Sequence, residues 1–183
     1  MTVSLTMTRP RCARWAFVAM MALVAALSGC GLRGEPLARG GATVFAVGDC
    51  VDIPAGKPAS PGTVKAGKTG CNADPSYTVG ALTDSTGSCP SNEYQHLPTQ
   101  FADPSTSRLC LVPNLVADHC YVLDMPIGVV QRADCSDRRQ PGLLVQVTQR
   151  LDVRDQQACP SDVGEFAWPY PSPPRTYCTL TIY

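Results

Sequence analysis

The clearest pattern in the chain is a two-residue alternation close to its end. Over residues 143–153, Leu143, Val145, Val147, Gln149 and Leu151 alternate with Leu144, Gln146, Thr148, Arg150 and Asp152. The start of that run is apolar on both sides and its end is amphipathic. Residues 177–183 do likewise, with Cys178, Leu180 and Ile182 set against Tyr177, Thr179, Thr181 and Tyr183. A period of two places each set on one face of a sheet. Shorter apolar runs predict strands at 44–53, 63–71, 77–83, 108–112, 119–124 and 129–135, about four in each half of the chain. Proline and glycine punctuate these runs, a pattern of short strands and turns rather than long helices. Short helices are expected at 91–97 and at 152–158 or 161–166, with Ser91 and Ser161 as caps. Residues 169–174 (PYPSPP) predict a constrained, extended surface loop. The expected fold is mainly β with short helices; an α+β domain of two pseudo-symmetric halves is the alternative.

Cysteine spacing divides the chain further. Cys50, Cys71, Cys89 and Cys110 lie at intervals of 21, 18 and 21; Cys120, Cys135, Cys159 and Cys178 lie at 15, 24 and 19. Local text repeats as well. Cys89-Pro90-Ser91-Asn92 matches Cys159-Pro160-Ser161-Asp162, and Gly48-Asp49-Cys50-Val51 corresponds to Asp118-His119-Cys120-Tyr121. Residues 44–113 and 114–183 therefore read as a tandem duplication: two pseudo-repeated, disulfide-stapled β units forming one compact domain. If each quartet closes on itself, three pairings per repeat remain. First-to-second and third-to-fourth is the expected one: Cys50–Cys71, Cys89–Cys110, Cys120–Cys135 and Cys159–Cys178. Each bridge would close a loop of roughly 15–20 residues, worth about 3 kcal/mol in the chain-entropy picture.

The N-terminus carries an export pattern. Arg9, Arg11 and Arg14 precede an apolar stretch at 16–26, and Leu27-Ser28-Gly29-Cys30 follows. The latter resembles a bacterial lipobox. That resemblance implies removal of residues 1–29 and a diacylglycerol on Cys30, hence a lipid-anchored protein on the extracytoplasmic face of the cell membrane. Several acyl chains hold a protein to a bilayer where one alone is marginal. Residues 30–43 would be the lipidated cysteine and a flexible tether, rich in glycine and without apolar periodicity.

Charge and chemistry narrow the function classes. Removing residues 1–29 from the 183 leaves 154, with 12 basic residues against 15 acidic. No basic stripe remains, which argues against nucleic acid as a partner. Even cysteine content in an exported chain reads as disulfides; no Cys-x-x-Cys occurs, so no metal or other cofactor is expected. Motifs of nucleophile elbows, zinc proteases and phosphate loops are missing from the sequence. Two histidines could titrate near neutrality: His119, expected in a turn or edge role before Cys120, and His96, expected in a solvated polar loop. Asp49, Asp74, Asp118, Asp134 and Asp137 cluster around the cysteines. Paired carboxylates can perform acid–base hydrolysis, although aspartates beside turns more often cap backbone.

The lipobox, Val47-Gly48-Asp49-Cys50-Val51, Cys89-Pro90-Ser91, Leu109-Cys110-Leu111 and Cys159-Pro160-Ser161 together resemble the LppU-type lipoproteins of mycobacteria and related actinobacteria. The Val-Gly-Asp-Cys-Val start also resembles a wider actinobacterial group labelled septum-formation-like, from which Cys71-Asn72-Ala73-Asp74 departs at a Cys-Pro-His. The first resemblance implies a membrane-anchored envelope lipoprotein and supplies no catalytic residue. The expectation is a non-catalytic binding domain whose partner is an envelope protein, a glycan or a lipid. An extracytoplasmic hydrolase using paired carboxylates and a structural envelope spacer are the alternatives.

Overall fold

The computed structural model describes residues 43–54, 64–124 and 128–183. Within them ten strands build two five-stranded antiparallel sheets, one from each half of the chain. The first contains β1 (Cys50–Asp52), β2 (Gly67–Lys68), β3 (Ser76–Leu82), β4 (Gln95–His96) and β5 (Leu109–Asn114). The second contains β6 (Cys120–Asp124), β7 (Val129–Ala133), β8 (Leu143–Leu151), β9 (Glu165–Pro171) and β10 (Pro174–Thr181). Their orders are β2-β1-β3-β5-β4 and β7-β6-β8-β10-β9. Relabelled by position within each half, the two orders are the same.

The repeat extends to register. Cys50 pairs with Thr78 as Cys120 pairs with Gln146, and Val51 opposes Lys68 as Tyr121 opposes Arg132. Both central pairings carry a bulge of one residue at the same place. Gly80 is skipped between Val79↔Leu111 and Ala81↔Cys110, and Thr148 between Val147↔Thr179 and Gln149↔Cys178. In both halves the skipped residue lies next to the pair that holds the buried strand cysteine, Ala81↔Cys110 and Gln149↔Cys178. All four bridges join one buried strand cysteine (Cys50, Cys110, Cys120 or Cys178) to one in a connecting loop. They are Cys50–Cys71, Cys89–Cys110, Cys120–Cys135 and Cys159–Cys178, the pairing expected from the spacing.

One apolar core draws on both sheets. Val51, Tyr77, Val79 and Leu111 come from the first, and Tyr121, Val145, Val147 and Tyr177 from the second. Each is at most 2% exposed, so each aliphatic member contributes about 1.5–3 kcal/mol relative to an exposed side chain. A smaller cluster, Cys120, Val122 and Leu144 with Ile182, lies on the other face of β6 and β8. This accounts for the run at Leu143–Val145 being apolar on both sides. Three buried tyrosines tie elements together by their hydroxyls. Tyr77 accepts from Val130 N–H at 2.8 Å, Tyr121 accepts from Val116 N–H at 2.9 Å, and Tyr177 donates to Pro113 C=O at 2.7 Å. Buried Arg175 donates to Asn114 Oδ1 at 2.7 Å and to Pro113 C=O at 3.3 Å, joining β10 to β5.

Several local expectations are corrected. The segment 91–97 is not a helix: Ser91 Oγ accepts from Glu93 N–H in a turn, and the chain then enters β4. The segment 161–166 is a turn leading into β9. The helical turns among the described residues are short 3-10 pieces at Thr106–Arg108 and Gln156–Ala158, the latter within the expected 152–158. The proline-rich stretch is not a loop but the end of β9, a tight turn at Ser172–Pro173 and the start of β10. Among the described residues each half holds five strands rather than about four, and the uncounted one is in each case the edge strand beside the last. The expected signal segment, Cys30 and most of the tether lie outside the described residues.

Candidate functional site

Matching positions in the two halves differ most in their charges. In the first half Asp49, just before Cys50, pairs with Lys68 on the neighbouring strand at 2.8 Å. The Lys68 ammonium and the Ala46 N–H hold the Asp49 carboxyl below the usual carboxylate range. In the second half the matching residues are His119 and Arg132, both basic. The missing carboxylate comes from the other half. Asp74, in the loop between β2 and β3, places Oδ2 at 2.6 Å from His119 Nδ1 and 3.4 Å from Arg132 Nε. Its Oδ1 accepts from the Tyr121 hydroxyl. The Arg132 guanidinium lies over the Tyr121 ring at 5.6 Å and donates to Cys120 C=O at 2.9 Å. Burial, reinforced by the Asp74 bond, pushes the Tyr121 hydroxyl well above its ordinary pKa.

This cluster is a joint between the two halves. Asp74 is hydrogen-bonded to His119 and Tyr121 and ion-paired with Arg132, so its carboxylate is occupied, and it fixes the His119 ring through Nδ1. A His so oriented has the form of a base held by an acid, but no hydroxyl or thiol of a described residue is hydrogen-bonded to it. The remaining acids serve their own turns. Asp134 accepts from Ser136 N–H at 2.8 Å, which lowers its pKa. Asp137 accepts from Arg139 N–H and from Gln140 Nε2. Asp118 sits at positive φ, 64°. His96 is not in a solvated loop: it is half-buried in β4 with Nε2 2.9 Å from Ser107 C=O.

A groove of about 830 Å³ opens along β9. Its floor and rim come from β9 itself and from the loop 154–161 that crosses beside it. In the sheet order β9 is terminal, so one edge is free. Pro169 and Pro171 have no N–H to give to β10, and the β9–β10 register runs without a shift. The bonding positions are therefore Phe166, Trp168 and Tyr170, and the residues between them turn their peptide groups outward. Glu165 N–H agrees with this, since it donates to Asp162 C=O rather than to β10. Two of the outward positions are prolines, which blunts the edge against pairing with another strand. Ala167 keeps an outward N–H and C=O.

Sequence reading did not single out Arg132 or Tyr121, nor the groove residues Gln156, Gln157 and Phe166. A signal for β9 is present: Phe166, Trp168 and Tyr170 alternate with period two, and proline at the intervening positions is the signature of an edge strand. Nothing in the sequence marks Asp74 as the partner of residues 45 positions away. No protein-family model, no curated protein and no solved structure matches this chain.

Proposed function

We propose that the chain is a lipid-anchored lipoprotein of the extracytoplasmic face of the cell membrane, and that its folded part is a non-catalytic binding domain. The observation that carries this is the conjunction of Leu27-Ser28-Gly29-Cys30 with a domain whose eight cysteines pair among themselves. Four structural disulfides belong to an oxidising compartment, which the export pattern would reach. No domain cysteine is left to bridge Cys30, in keeping with a separate fate for its thiol. The likeness to LppU-type lipoproteins supports the same reading. Binding rather than catalysis is favoured because Asp49, Asp74, Asp134 and Asp137 are committed to local partners, whereas a general acid or base must reach its substrate. The partner is an envelope protein, a glycan or a lipid.

Acyl labelling of the protein in a lipoprotein-processing bacterium, with mass measurement of its mature N-terminus, tests the anchor. The expected product begins at Cys30 and carries acyl chains, and Cys30→Ala abolishes both labelling and cleavage. Unchanged processing in Cys30→Ala would overturn the reading.

A further inference from the structure

We infer that the domain rests on the bilayer surface through the face where the chain enters it, with Val44 and Val47 at the level of the lipid headgroups and the Arg108 guanidinium on a lipid phosphate. The inference rests on the reading of Cys30 as the anchor and names the surface that lies against the membrane. Val44 and Val47 are 81% and 60% exposed. Val44 lines a hollow of about 460 Å³ whose apolar lining continues through Phe45, through Leu82 at the end of β3 and through Leu109 at the start of β5. Val47 follows in the next turn, closed by Asp49 N–H donating to Ala46 C=O at 3.1 Å.

Charge at this face suits a phosphate. Arg108 is the one charged residue lining the hollow, and among the described residues no carboxylate pairs with it. Asp84 and Asp103, close by in the chain, serve their own turns: Asp84 accepts from Thr86 N–H and Ser88 N–H, and Asp103 from Ser105 Oγ and Thr106 N–H. An arginine lays its apolar stem along such a surface and keeps its charged head at the polar boundary. Its fork of donors matches phosphate oxygens.

The position of the anchor says what covers this face. Thr43, the first described residue, lines the same hollow and stands thirteen positions after Cys30. That length of chain reaches at most about 45 Å fully extended, so an anchored Cys30 holds this end of the domain near the bilayer. A short link makes the second contact intramolecular, at an effective concentration in the millimolar range. A contact with a dissociation constant of about a millimolar is then already half formed, so a small patch need not be strong to be occupied. The duplication isolates the feature. Asn114 and Ala117 stand where the first half has Val44 and Val47. Asn114 is buried and accepts from Thr78 and Arg175, and Ala117 is half-buried. Exposed valines at these two places belong to the copy that follows the anchor.

Depth-dependent fluorescence quenching tests the proposal. Residues 30–183, which include every described residue, are coupled through the Cys30 thiol to a maleimide-headgroup lipid in vesicles of phosphatidylcholine and phosphatidylglycerol. Trp168 is the one tryptophan of that span; in a Trp168→Phe background, Val44→Trp, Val47→Trp or Val163→Trp supplies a single reporter. Val163 is 98% exposed and precedes β9, at the opposite end of the β9–β10 hairpin from its tip. Nitroxide-labelled lipid should quench the first two reporters at least about threefold more than the third, as a half-formed contact requires. Adding Arg108→Glu should reduce quenching of Val44→Trp by at least about threefold, since the anionic surface then repels the patch. Near-ultraviolet dichroism and non-reducing peptide mapping confirm the fold and the four bridges of each variant. Equal quenching at the three places, none at Val44→Trp and Val47→Trp, or indifference to Arg108→Glu would each overturn the proposal. Shielding of Val44→Trp from iodide that grows with protein concentration in lipid-free solution would assign the face to a second copy and overturn it too. Coupling supplies the link chemically, so a failed quenching experiment leaves acylation of Cys30 standing, and a chain never acylated in cells leaves the vesicle result standing.

Discussion

Asp74 supplies across the seam the carboxylate that His119 would have found beside it had the second half kept the charges of the first. The first half satisfies its basic residue internally, as Asp49 with Lys68; the second satisfies His119 and Arg132 with one acid borrowed from its neighbour. Duplication alone would give two self-sufficient halves. Replacing one acid by a base makes the second half depend on the first.

That dependence is measurable. Asp74→Asn should destabilise the fold by about 1–2 kcal/mol, since charge-assisted bonds are worth more than neutral ones and part of the cluster is solvated. His119→Asp alone sets like charges together and should also destabilise. The double variant His119→Asp/Asp74→Asn recreates the first-half arrangement, with the new acid beside Arg132, and should recover part of the summed loss. Urea unfolding of the four proteins gives the coupling. Strictly additive losses would show that the three residues do not act together.

Gly48 and Asp118 also occupy equivalent places, with φ of 93° and 64°. Each donates its N–H to the central strand, to Val79 C=O at 2.8 Å and to Val147 C=O at 2.7 Å. Left-handed backbone strains residues with a Cβ by about 1–2 kcal/mol, less for aspartate. A Cβ at Gly48 would meet no atom within 4 Å, so Gly48→Ala isolates that backbone strain and should cost about 1 kcal/mol. Asp118→Gly should stabilise by about 0.5 kcal/mol. Shifts of melting temperature in the same direction for both would contradict this account.

The parts of this fold that were legible in the sequence are those written in local spacing. Period-two runs located β8 and β10, shorter apolar runs located β3, β5, β6 and β7, and the doubled cysteine intervals carried the halves and the bridges. Two kinds of feature escaped. β4 is two polar residues long, too short for any period, and β9 hides its aromatic alternation behind prolines that suit only a sheet edge. Long-range partnerships escaped as well, because a spacing pattern cannot tell that Asp74 faces His119 or that Arg154 faces Glu93 from 61 residues away.

The paired bulges make a sharper comparison. Thr148 sits at one with its Oγ1 donating to Cys178 C=O at 3.1 Å. At the other, a Cβ on Gly80 would lie 2.0 Å from Ser172 C=O and 2.6 Å from the Tyr94 ring. The tip of the β9–β10 hairpin thus packs directly on the Gly80 backbone, a contact that any larger residue prevents. Gly80→Ala should cost about 3 kcal/mol or more by overpacking, against about 1 kcal/mol for the lost hydrogen bond in Thr148→Ala. Urea midpoints at equal m-values measure both. Equal, mild losses would mean that the hairpin does not rest on β3.

Buried tyrosines set the alkaline limit of stability. Burial pushes the hydroxyls of Tyr77 and Tyr170 far above their ordinary pKa, and it does the same to Tyr121 with the help of Asp74. Because the folded values are raised, their contribution is complete below the unfolded pKa of about 10 and is lost as pH climbs beyond it. The unfolded chain releases protons there that the folded chain retains. Tyr77 and Tyr170 alone should remove about 1.4 kcal/mol each for every pH unit above 10. The fold should therefore fail cooperatively in alkali, and tyrosinate absorbance of the buried groups should rise together with loss of near-ultraviolet dichroism in a rapid pH jump that outruns disulfide exchange. Tyr170→Phe removes one of these protons and should move the alkaline midpoint upward. If the buried tyrosines ionised while the dichroism stayed native, their surroundings would be wetter than the closed core joining the two sheets permits.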